Sequence, residues 1–106
     1  MNRLEQLRQL RADVVKDIYR IVSATESGNI MISDIDEGCS PIIDEDVCDV
    51  DNTYTLDYVY IKDGCLYFDG SSSYDNDTWN QDSLSVDALC NVLEFLEKHE
   101  DRIKEL

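Results

Sequence analysis

The sequence predicts an α+β fold: an N-terminal helix, a three-stranded antiparallel meander with a candidate fourth strand, and a C-terminal helix, both helices packed on one face of the sheet. Apolar residues recur at helical spacing near both ends of the chain, and an alternating run flanks an Asp-Gly pair in its middle. A length of 106 residues suits one hydrophobic core and is short for two, so residues 1–106 are read as a single domain.

The first helix is expected over residues 3–26. Leu4, Leu7, Val14, Ile18 and Ile21 form its stripe, widened by Leu10, Val15 and Val22. Asn2 followed by Glu5 fits a capping box, and Gly28 is a natural stop. Residues 30–35 read as a short strand with Ile30 and Ile32 on one face, and residues 36–53 read mainly as loop. Within that loop, Pro41-Ile42-Ile43 is the candidate fourth strand, at an edge. Tyr54 to Lys62 alternates well, Asp63-Gly64 suits a two-residue type I′ turn, and Cys65 to Asp69 returns.

That turn sets a register in which Lys62 faces Cys65, Ile61 faces Leu66, Tyr60 faces Tyr67 and Val59 faces Phe68. Val59, Ile61, Leu66 and Phe68 then belong to the core. Leu56, Tyr58, Tyr60, Cys65 and Tyr67 belong to the other face, which suits a covering helix or a partner. Residues 70–83 read as a polar loop whose Tyr74 and Trp79 fold back onto the sheet or helices, the competing role being exposed interface anchors. Ser85 caps the last helix, with Leu84 stapled to Leu89 and a stripe of Val86, Leu89, Cys90, Leu93, Phe95, Leu96, Ile103 and Leu106.

Charge is the strongest functional signal. The formal net charge is −15, and residues 28–82 hold fourteen acidic side chains against Lys62 alone. Asp34 to Asp51 carries eight carboxylates and no base. Such a field argues against direct binding of nucleic acid or an anionic membrane, because those partners need basic patches. The chain opens with charge alternating with leucine and has no secretory apolar core, and no apolar run reaches membrane-spanning length, so a cytoplasmic protein is expected. Cys39, Cys48, Cys65 and Cys90 contain no C-x-x-C pair and are read as reduced thiols.

Catalytic and metal chemistries find little support. His99 lies nine residues from Cys90, which puts the two on opposite faces of one helix. Residues 34–45 place Asp34, Asp36 and Glu45 at calcium-loop positions 1, 3 and 12, but Cys39 stands where an EF-hand requires glycine. Asp75-Asn76-Asp77-Thr78-Trp79 starts the same way and fails at its fifth position.

The expected function is therefore non-enzymatic. The chain reads as an acidic protein-binding domain, of the inhibitor, DNA-mimic or immunity kind, docking on a basic protein surface as a monomer or weak homodimer. The partner-binding candidates are Asp34, Asp36, Glu37, Asp44, Glu45, Asp46, Asp49, Asp51, Tyr58, Tyr60 and Tyr67, with no cofactor and no metal. Charge supports this reading and no motif does. The rival readings are a calcium-binding module and a homo-oligomerising structural protein using the tyrosine face.

The chelated protein is expected to be folded, with calcium or salt raising its melting temperature modestly by screening. Thermal melts followed by circular dichroism check this; cooperative folding only on calcium addition would favour the calcium module.

Overall fold

The computed structural model describes residues 2–36, 40–45, 53–72 and 77–105. The element order is α1 (Arg3–Ser23), β1 (Asn29–Met31), a 3-10 turn (Ile32–Asp34), β2 (Ile42–Glu45), β3 (Thr53–Lys62), β4 (Cys65–Ser72), β5 (Thr78–Gln81), α2 (Val86–Lys98) and α3 (Glu100–Ile103). This is the expected α+β architecture, with an N-terminal helix, an antiparallel sheet and C-terminal helices. Buried residues of α1 and α2 join those of the inner sheet face in one apolar cluster. Among the described residues no helix is long and apolar enough to cross a membrane.

The helix ends follow local chemistry. The Asn2 side chain accepts from the Glu5 N–H at 2.8 Å, and Ser85 Oγ accepts from the Ala88 N–H at 3.2 Å. α1 ends at Ser23, three residues before the expected end, because Thr25 takes over: its hydroxyl donates to the Val22 carbonyl at 2.7 Å. Gly28 serves the following turn at φ +70°, and its carbonyl accepts from the Ile61 N–H. The C-terminal stripe is broken at His99 (φ −111°, ψ 22°), which separates α2 from the short α3.

β3 is the central strand. β4 pairs along one edge, while β1 and β2 share the other, β1 against residues 58–60 and β2 against residues 53–55. β5 extends the sheet beyond β4. The hairpin has the expected register, from Lys62↔Cys65 through Val59↔Phe68. Asp63 and Gly64 both take positive φ, 54° and 80°, as a type I′ turn requires.

Several expectations change. The strand at 30–35 stops at Met31 and passes into the 3-10 turn, although Ile30 and Ile32 are both buried. The edge strand expected at 41–43 is β2, Ile42–Glu45. The polar stretch 70–83 contains the end of β4 and all of β5; one tryptophan among polar residues offers no apolar period to announce a strand.

Leu56 is the main correction. It was expected beside the tyrosines, yet it is fully buried. Leu56 pairs with Gly70 and Tyr58 with Asp69, so Asp57 is an extra residue in β3, a bulge that reverses the alternation. Beyond it Leu56 joins Val59, Leu66 and Phe68 in the core.

The second correction concerns α1. Leu4, Leu7 and Leu10 remain 56%, 45% and 43% exposed, and burial begins only at Val14. Arg11 marks the boundary, its guanidinium donating to the Leu84 carbonyl at 2.7 Å and to Ser83 Oγ at 3.2 Å.

Gly70 is required by close approach. A Cβ there would run into the Thr55 carbonyl and the Trp79 ring, which lies over the glycine on the inner side of the sheet. Trp79 thus folds back as expected, whereas Tyr74 lies outside the described residues.

Phe68→Ala is expected to cost about 3–5 kcal/mol and Leu56→Ala about 2–5 kcal/mol, with Tyr67→Ala clearly below Phe68→Ala. Chemical denaturation checks the ranking. A Leu56→Ala loss no larger than that of an exposed leucine would contradict the bulge.

Candidate partner-binding face

With the helices on the inner face, the outer face of the sheet carries a ladder of half-buried tyrosines. Tyr58 and Tyr60 stand two residues apart on β3, their ring centroids 5.4 Å apart and tilted by 53°. Tyr60 faces Tyr67 across the hairpin, 5.5 Å apart and near-parallel at 17°. Asn80 on β5 donates its side-chain amide to the Tyr60 hydroxyl at 2.9 Å, spanning β4 and holding the ring.

Carboxylates flank the ladder. Asp69 is paired in register between Tyr58 and Asn80, and the bulged Asp57 accepts from Ser71 Oγ at 2.8 Å. Met31, Ser33, Ser40, Asp57, Tyr58 and Asp69 line a shallow groove of about 500 Å³. Aromatic faces beside carboxylates suit guanidinium or ammonium groups, through stacking and charge-assisted hydrogen bonds together.

The expected residues fall into separate groups. Tyr58, Tyr60 and Tyr67 come together as one surface. Asp34 is exposed on the 3-10 turn. Asp36 lies elsewhere, its Oδ2 being 4.0 Å from His99 Nε2 at the α2–α3 corner. Asp44 and Glu45 belong to β2, paired with Tyr54 and Thr53. Glu37, Asp46, Asp49 and Asp51 lie outside the described residues.

Asp57, Asp69 and Asn80 were not singled out from the sequence. Asp69 was within reach, since one more step of the Asp-Gly register places it opposite Tyr58. Asp57 was not, because its position depends on the bulge.

Among the described residues, no cluster of three or more His, Cys, Asp or Glu side chains could hold a metal ion. Both calcium-like stretches run partly through residues outside the described ones. Cys65 is an exposed thiol and Cys90 a half-buried one, while His99 packs on Phe95 with ring centroids 4.5 Å apart. No protein-family model, curated protein or solved structure matches the chain.

Changing Asp57 and Asp69 together to asparagine preserves side-chain size and removes two charges from a chain of net −15. The melting temperature at low salt is expected to hold or rise, with the difference shrinking at high salt. A fall at low salt would show that the carboxylates hold the bulge in place.

Proposed function

We propose that this protein is a non-enzymatic binding domain that docks on a basic protein surface. One observation carries the reading: the Tyr58–Tyr60–Tyr67 ladder occupies the sheet face opposite the helices, with Asp57 and Asp69 at its side. Tyrosines supply contact area at low entropic cost, and neighbouring carboxylates select cationic side chains. The acid segment 34–51 adds a long-range field that steers a positively charged partner into place. An inhibitor occupying the nucleic-acid groove of an enzyme, or an immunity-type partner of a basic toxin, would use this combination. A cytoplasmic setting fits Cys65 and Cys90, the free thiols among the described residues.

The test combines affinity capture at low and high salt with association kinetics on the captured partner. Changing Asp44, Glu45 and Asp46 together to their amides is expected to slow association and flatten its salt dependence, because screening acts over about 8–10 Å. Tyr58→Ala and Tyr60→Ala are expected to speed dissociation instead. Binding that ignores salt, the triple variant and both tyrosine variants would end the proposal.

A further inference from the structure

The exposed end of α1 is the chemical complement of the tyrosine face. Residues 2–10 are exposed without interruption, so the first turns of the helix stand beyond the core as an arm. Leu4, Leu7 and Leu10 run along it, about 4.5 Å apart along the helix axis. The arm carries Arg3 and Arg8 against Glu5, and Arg11 follows at its base. Residues 1–27 are the one net-basic part of the chain, with five basic side chains against four acidic.

We propose that the outer face takes a second copy of this chain, whose α1 arm lies across the three tyrosines. The inference rests on the reading of that face as a docking surface and names a partner for it.

The dimensions agree. Leu4 to Leu10 covers about 9 Å of helix axis, enough to cross the tyrosine corner, in which Tyr58–Tyr60 runs 5.4 Å along β3 and Tyr60–Tyr67 runs 5.5 Å across to β4. Leucine side chains pack on tyrosine faces, while Arg3 and Arg8, about 140° apart around the helix and on opposite flanks of the leucines, leave one guanidinium for the Asp57 and Asp69 side of the groove. A copy cannot serve itself, because its own α1 packs on the inner side of the sheet.

Pairing of two arms is disfavoured by charge. It would gather the arginines of both copies around one Glu5 from each, whereas the arm-to-face contact sets a basic helix against the segment that holds fourteen acids and Lys62. Each contact uses the arm of one copy and the face of the other, so a dimer retains one free face and one free arm, and assemblies grow or close as rings. The overall negative charge of each copy opposes growth, which makes the association weak and dependent on concentration.

Sedimentation velocity at low salt reads the outcome. The wild-type sedimentation coefficient is expected to rise with concentration. Leu4→Ser/Leu7→Ser and Asp69→Lys, each shown folded by circular dichroism, are expected to remain monomeric. Mixed in equal amounts, they should form a one-to-one dimer and nothing larger, because one retains the face and the other the arm. Tyr58→Ala replaces Asp69→Lys should the latter fail to fold. A wild type that stays monomeric at every concentration, or a mixture that does, overturns the inference. Wild-type association of Asp69→Lys beside a monomeric leucine variant would mean that arms pair with arms; that result retires this inference alone and leaves the face for a foreign partner. An intact mixed dimer without any salt-sensitive foreign partner would retire the proposed function alone.

Discussion

The bulge at Asp57 is the constraint on which both faces of the sheet depend. β3 must send Val59 and Ile61 inward from its hairpin half, and Leu56 inward from its other half. Strict alternation cannot do both, since Leu56 and Val59 differ by an odd number of positions. One extra residue resolves the conflict: Leu56 is buried against the helices, while Tyr58 and Tyr60 stay on the outside. The same residue bends the strand where its other edge passes from β1 to β2. Core and candidate face are thus two results of one local irregularity.

Electrostatics divide the molecule along the same line. The ion pairs Arg20–Glu100, at 3.9 Å, and Arg102–Glu105, at 3.2 Å, lie on or just beyond the helices, while Asp36 of the acidic segment reaches His99 at the α2–α3 corner. These contacts are exposed or half-exposed and contribute little individually. Lys62, at the hairpin end of β3, is the only base in residues 28–82. The carboxylates of the sheet are therefore held together by burial on the inner face, in spite of their mutual repulsion.

Much of this fold was legible because short-range chemistry dictated it. The Asp-Gly turn announced a hairpin and its register, and Asn2 and Ser85 announced two helix starts. What escaped depended on tertiary context. Leu56 changes sides through a bulge with no sequence signature. Leu4, Leu7 and Leu10 belong to the same three-and-four helical pattern as Val14, Ile18 and Ile21, so periodicity could not reveal that the inner layer ends near Arg11. β5 pairs through backbone groups, and Trp79 is its one apolar residue, on the inner side with Gln81. The candidate face was half legible: its tyrosines followed from the register, while Asp57 and Asn80 required the bulge and the extra strand.

The position of Trp79 has an optical consequence. It is the only tryptophan in the chain, its ring lies over Gly70, and its buried indole nitrogen has no hydrogen-bond partner among the described residues. An indole shielded in this way emits at shorter wavelength than one in water, and release of β5 from β4 would shift the emission to the red. The domain therefore carries a built-in fluorophore that reports from beneath its outer surface, sensitive to how firmly the last strand is seated.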